Sequence, residues 1–153
     1  AILQNAGVPY CSTMAADGQH RTEDIKNVLA PIIENRYDCV IGSRILGDRE
    51  KANWLRIAGV YFFGRIISVL LGKKITDPSS GFRAFRMEAM ASVRLHDDQY
   101  HTSELIIEAV KNGLRIGEVP ITILKRKYGQ SKKGKDLTYG FHFARIIIKT
   151  WWR

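Results

Sequence analysis

The chain has 153 residues, 45% hydrophobic and 25% charged, with a formal net charge of +9. That balance suits one folded domain with its own core, and it excludes a disordered polar chain and a two-domain arrangement. Two cysteines, Cys11 and Cys39, exclude a disulfide framework and lack metal-ligand spacing, so they read as small buried residues on neighbouring strands in a reducing compartment.

Charge is unevenly placed. From Lys125 onward there are nine Lys/Arg against one Asp, which is +8 of the total. Such a tail calls for a phosphate-rich partner, whether anionic lipid, nucleic acid or a phosphorylated substrate. The sequence has no uninterrupted apolar run of about 20 residues and no leader pattern, so the expectation is a chain that does not span a membrane unaided.

In chain order, Ala1 to Gly7 reads as the end of a helix, and Val8-Pro9 leads into a strand over Tyr10 to Ala16. Asp17-Gly18-Gln19-His20 is a polar turn at the strand's end, where α/β proteins bind ligands. Arg21-Thr22-Glu23-Asp24 opens a helix with acidic residues in its first turn, and Ile25, Val28, Leu29, Ile32 and Ile33 give that helix one apolar face, up to Asn35. Tyr37 to Gly42 is a short apolar run of the kind found in a parallel strand covered on both sides. These three elements make a βαβ unit.

Ser43-Arg44 then leaves the same sheet edge as Asp17, and the charged loop Ile45 to Asn53 is expected to move when ligand binds. Trp54 to Leu71 is apolar apart from Arg56 and Arg65. It is too short and interrupted for a comfortable span, so it reads as a helix packed on the sheet or lying at a bilayer surface. Arg56 near its start opposes the helix dipole, which points to a functional role.

Thr76-Asp77-Pro78-Ser79-Ser80-Gly81 is a tight turn whose small hydroxyl residues leave backbone N–H groups open to a phosphate or sugar. The plainer alternative is a capped turn with Asp77 bonded to nearby backbone. Phe82, Ala84 and Phe85 begin a strand or short buried segment, and Arg86 to Leu95 is expected to be a short helix. His96-Asp97-Asp98-Gln99 reads as a polar loop, because consecutive residues seldom point at one ion. Thr102-Ser103-Glu104 is expected to cap a helix ended by Asn112-Gly113, and Leu114 to Leu124 a strand placed at an edge or irregularity by Pro120. Lys125 onward is a basic loop. Leu137 to Arg153 mixes tryptophans and branched aliphatics with Lys149 and Arg153, as an interfacial helix does. Its aromatics alternate with aliphatics rather than lining a polar stacking groove, so no nucleic acid partner is expected.

Taken together, the Asp17 turn, Val40-Ile41-Gly42-Ser43-Arg44, Thr76 to Phe85, Glu118-Val119-Pro120-Ile121, and Arg126 to Lys132 resemble the family 2 glycosyltransferases. The likeness is greatest to polyprenyl-phosphate sugar transferases of the dolichol-phosphate mannose synthase type. It implies an α/β nucleotide-diphospho-sugar transferase (GT-A, Rossmann-like) fold with a mostly parallel sheet flanked by helices, incomplete at its N-terminus. On that basis residues 1–134 are the later part of a catalytic domain and 135–153 a basic amphipathic, interfacial helix.

The resemblance implies inverting transfer from a nucleotide-diphosphate sugar donor to a polyprenyl phosphate acceptor, dolichyl or undecaprenyl, at an anionic membrane surface, peripherally on its cytoplasmic face. It places Arg44, Arg56, Arg126, Ser131 and Lys132 at the phosphates. Asp77, Ser80 and Arg44 fall in the catalytic centre. A divalent cation, Mg²⁺ or Mn²⁺, would be held by Asp17 with Gln19 or His20 beside it. The family's Asp-x-Asp has its first aspartate replaced here by Ala15. This departure keeps a second expectation open, a catalytically inactive module that binds membrane or a partner through its basic C-terminus.

Overall fold

The computed structural model describes residues 7–48, 54–96, 101–124 and 136–153. Four strands, β1 (Tyr10–Thr13), β2 (Cys39–Ser43), β3 (Arg83–Arg86) and β4 (Ile116–Pro120), form one sheet in the order β1-β3-β2-β4. The β2–β4 pair is parallel, while β3 runs antiparallel to both β1 and β2. Three strands therefore point one way and β3 points against them, making a mixed sheet in an α/β architecture.

Helix α1 (Asp24–Ile33) covers one face of the sheet. The others are α2 (Trp54–Leu71), a single turn α3 (Met87–Met90), α4 (His101–Lys111) and α5 (Asp136–Trp152). The sides are set by the two-residue period of β2. Val40 packs with Val28, Ile32, Phe82, Ala84 and Ile121, on the α1 side. Ile41 packs with Ile67, Leu71, Ile106, Ile107, Phe143 and Ile147, contributed by α2, α4 and α5. All five residues of β2 are buried, which is why its sequence reads as a continuous apolar run rather than an alternation.

Helix α1 ends where Asn35 takes a positive φ of 59°, a conformation that asparagine tolerates and that stops a helix. Helix α2 has the bounds expected from its apolar run. The helix expected over Arg86 to Leu95 is only the turn α3, with Ala91 and Val93 continuing in single-turn hydrogen bonds. The segment Thr102-Ser103-Glu104 lies inside α4 instead of before it. Glu104 there is fully buried, and accepts hydrogen bonds from the His96 N–H at 3.1 Å and from Arg153 Nη2 at 3.2 Å. The last residue is thereby tied to α4. Helices α2 and α5 also meet directly, with the Phe63 and Phe143 rings edge to face at 4.8 Å.

Candidate active site

The topology brings four connections to one sheet edge. β1, β2 and β4 end there at Thr13, Ser43 and Pro120, and β3 begins there at Arg83. Segments 14–20, 44–48, 76–82 and 121–124 therefore gather at the carboxyl ends of the like-directed strands, the usual position for ligand in such sheets.

Hydrogen bonds stitch these segments to one another. Thr13 Oγ1 donates to the Gly81 carbonyl at 3.0 Å, and the Gly42 N–H to the Phe82 carbonyl at 2.8 Å. The Ile121 N–H donates to the Ser43 carbonyl, and the Ile123 N–H to that of Asp48. Gly47 lies so close to the Ile121 backbone that a Cβ would collide with its carbonyl oxygen, so only glycine allows segment 44–48 this approach. The Asp17 turn is joined in the same way. The Leu124 N–H donates to the Gln19 carbonyl at 2.8 Å, while Gln19 Nε2 donates to the Leu124 carbonyl at 3.2 Å.

Arg44 and Asp77 occupy the centre. Arg44 donates from Nε to Asp77 Oδ2 and from Nη2 to Oδ1, each at 2.6 Å, and its backbone N–H adds a bond to Oδ2 at 3.1 Å. Nη2 also reaches Ser79 Oγ. The Asp77 carboxylate is fully buried, whereas the Arg44 side chain is a quarter exposed. Burial alone would push the Asp77 carboxyl upward, and it is the strongest single influence. The hydrogen bonds and charge of Arg44, with the Ser79 hydroxyl, together outweigh it and hold the group below the usual carboxylate range.

His20 packs edge to face on Phe82 at 5.1 Å. Burial lowers its pKa, and Arg44 pushes in the same direction, while Asp17, Asp24 and Asp77 oppose them. Through this His20–Phe82 contact and the Thr13–Gly81 hydrogen bond, the Asp17 turn lies against the segment that follows Asp77. Asp17 itself is exposed, with Oδ1 accepting the Gln19 N–H at 3.2 Å. Among the described residues no three His, Cys, Asp or Glu side chains cluster as a complete metal cage. The exposed Asp17 carboxylate still fits a hard divalent ion, which takes one or two protein carboxylates and completes its shell from substrate phosphates and water.

Of the residues expected from sequence, Asp17, Gln19, Arg44, Asp77 and Ser80 come to this edge. Ser80 is buried, and its Oγ accepts the Phe82 N–H at 3.3 Å. The Arg56 side chain lies outside the described residues, as do Arg126, Ser131 and Lys132.

Two charged residues beneath the site had no role assigned from sequence. Glu118, on β4, accepts hydrogen bonds from the Thr76 and Asp77 backbone and from the Thr76 hydroxyl. Arg83, on β3, donates from Nε to the Ser80 carbonyl at 2.8 Å and from Nη2 to that of Pro78 at 2.9 Å. Burial lowers the Arg83 pKa to about 10, so it stays charged near neutral pH. The available signal in β3 was Arg83 next to the buried Ala84 and Phe85, since charges are rarely buried without a partner, whereas Glu118 lies in the half-buried β4.

The family model described as Glycosyl transferase family 2 matches residues 1–94. The chain belongs to glycosyl transferase family 2. It is 37% identical over 148 residues to a UDP-N-acetylglucosamine--dolichyl-phosphate N-acetylglucosaminyltransferase of Methanococcus voltae, covering 93% of this chain and 59% of that protein. To a dolichol-phosphate mannosyltransferase of Pyrococcus furiosus it is 33% identical over 144 residues, covering 89% and 39% respectively. Among solved structures, glucosyl-3-phosphoglycerate synthase from Mycobacterium tuberculosis superposes with a TM-score of 0.60 at 13% identity, covering 94% of this chain and 48% of that one. This likeness establishes the GT-A fold. The chain spans less than two thirds of the length of these relatives.

Proposed function

We propose that residues 1–134 are the later part of a catalytic domain that transfers a sugar, with inversion, from a nucleotide-diphosphate sugar to a polyprenyl phosphate. The observation that carries this reading is the Arg44–Asp77 pair at the sheet edge where the Asp17 turn packs on Phe82, in a family 2 chain. Relatives named for transfer to dolichyl phosphate support the class of acceptor.

A phosphate oxygen as nucleophile is already ionised near neutral pH, so the protein need not supply a strong base. It has to position anions and hold developing charge. Arg44 suits the positioning of anions, because its guanidinium is oriented by Asp77 and still reaches solvent. Asp77, buried and ionised, fixes that orientation, and Ser80 holds the turn by accepting the Phe82 N–H. Arg56, Arg126, Ser131 and Lys132 complete the phosphate-binding set in this reading. Asp17 and Gln19 would hold a Mg²⁺ or Mn²⁺ ion, which when bound neutralises charge on the leaving diphosphate.

The membrane face is assigned to α2 and α5. Tyr61, Phe62 and Val69 on α2 are exposed, as are Phe141, Ile148 and Trp152 on α5. No described helix is long and apolar enough to cross a membrane. This suits peripheral attachment at the cytoplasmic face, with the basic residues of 135–153 meeting anionic lipid. The test is transfer of labelled sugar by the complete protein, offered UDP- and GDP-sugars with dolichyl or undecaprenyl phosphate. Label in the lipid phase is expected, whereas nucleotide binding with no glycolipid product would refute the reading.

Ala15, exposed where the family has an aspartate, supports a second reading, an inactive module attached to membrane. Vesicle binding by the complete protein, with no turnover of any donor, would establish it.

A further inference from the structure

Segments 43–46 and 76–77 carry Arg44 and Asp77, and both end on the same acceptor. The Thr76 N–H donates to Glu118 Oε1 at 3.0 Å and to Oε2 at 2.8 Å, and the Asp77 N–H to Oε1 at 3.0 Å. The Thr76 hydroxyl lies 2.8 Å from Oε2. Both Glu118 oxygens already accept backbone N–H groups, so the carboxyl acts as acceptor here and the hydroxyl gives its proton to it. Its contact with Ser43 Oγ, at 2.6 Å, is then donated by Ser43. The Ser43 oxygen in turn accepts the N–H groups of Ile45 at 3.2 Å and Leu46 at 3.3 Å. Every proton in the chain from Leu46 to Glu118 points the same way, and the negative charge at its end sets that polarity.

The opposite side of the turn is held by the opposite charge. Arg83 takes the Pro78 and Ser80 carbonyls, while Glu118 takes the Thr76 and Asp77 amides. The carbonyls thus meet a guanidinium and the amides a carboxyl group, whose pKa burial raises while these same amides and the Thr76 hydroxyl pull it back down.

We infer that Glu118 is a positioning residue for the site. It orients the Ser43–Thr76 hydroxyl relay and, with Arg83, fixes the turn that aims Asp77 at Arg44. Its kinetic consequence rests on the transferase reading above, and its structural consequence does not. Glutamine is the discriminating replacement. It matches the shape of glutamate, yet its NH₂ group would face N–H and O–H donors, so one side of the relay loses its acceptor.

The experiment compares Glu118→Gln, Thr76→Val and wild type in the complete protein. Hydrogen exchange is followed in a peptide spanning 75–82 and in reference peptides from α1 and α4, beside kinetics and thermal melting. Glu118→Gln is expected to speed exchange in 75–82 by about tenfold and leave the references unchanged. With an active wild type, kcat is expected to fall about 100-fold, as for a displaced catalytic group, with the donor KM moving less than about threefold. Thr76→Val, which keeps the backbone bonds, should show a smaller change of the same kind. Equal exchange in 75–82 for Glu118→Gln and wild type overturns the inference, and so does faster exchange throughout with a lowered melting temperature. If wild type moves no sugar, the transferase reading fails, and the exchange comparison alone still decides the role of Glu118.

Discussion

Arg44 and Asp77, 33 residues apart in sequence, meet through two side-chain hydrogen bonds of 2.6 Å, with the Arg44 backbone N–H as a third. Fixing a long guanidinium this way removes its rotamer freedom before any ligand arrives, so the entropy of ordering it is spent in folding. Asp77→Asn keeps the shape, but its amide nitrogen must turn a donor toward Arg44. A fall in transfer rate of about 100-fold is expected. The stability loss should be about 3 kcal/mol, the low end for a broken buried pair because Arg44 can still reach water. Denaturant titration at pH 7 measures it; a loss under about 0.5 kcal/mol, the range of ordinary surface changes, would contradict this account.

The Asp17 turn is the expected metal contact. Asp17→Ala should weaken Mn²⁺ binding in the presence of nucleotide sugar by at least about tenfold, since the remaining protein donors are uncharged oxygens. Isothermal titration with and without nucleotide separates the effect from donor binding. Equal affinity in variant and wild type would remove Asp17 from the site.

At the opposite end of the sheet, Arg115 donates to both oxygens of Asp38, from Nε at 3.0 Å and Nη2 at 2.9 Å. These bonds depress the Asp38 pKa to about 2. A carboxyl depressed on folding stabilises above its unfolded pKa of about 3.9 and ceases to do so as pH falls through the folded value. Wild type should therefore melt above Asp38→Asn at pH 6, and the gap should close between about pH 4 and about pH 2. A gap that stays constant over that range would show the pair contributes nothing through ionisation.

The outward residues of α5 give a prediction for lipid binding. Phe141 is 72% exposed and Trp152 85%, so replacing both with serine costs the fold little. Binding to vesicles containing anionic lipid should fall by at least about tenfold, given roughly 25 cal/mol for each Å² of apolar surface withheld from the bilayer. Flotation assays at low and high salt would separate this loss from that of the basic residues, which salt screens. Unchanged flotation would mean that α5 is not the attached face.

Local pattern was sufficient where one face or one run decides an element. α2 lies where its apolar stretch does, between Trp54 and Gly72, and β2 follows its buried run. Patterning could not give the direction of β3, because a four-residue strand reads alike either way and its partners lie far off in the chain. The turn after Arg86 was harder still, since Met87, Met90, Val93 and Leu95 also fit a longer helix. Asp17 and Asp77 could be picked out because each forms part of a turn signal, and Arg44 through the resemblance to family 2. Glu118 stood in a segment that carries the family resemblance, but its role could not be read, since it depends on Thr76, 42 residues earlier, and on a relay visible only in three dimensions.

The reversed strand β3 is only four residues long, yet it carries an arginine at each end. Arg83 serves the turn at one edge, while Arg86 donates to Asn35 Oδ1 at 2.8 Å and the Ile32 carbonyl at 3.0 Å at the other. A slip of β3 by one residue would flip every side chain to the opposite face. Both guanidiniums would lose their partners at once, and Phe85 would leave its pocket between Cys39 and Leu105. The alignment of the central sheet is thus locked from two directions, by one arginine at each end of β3.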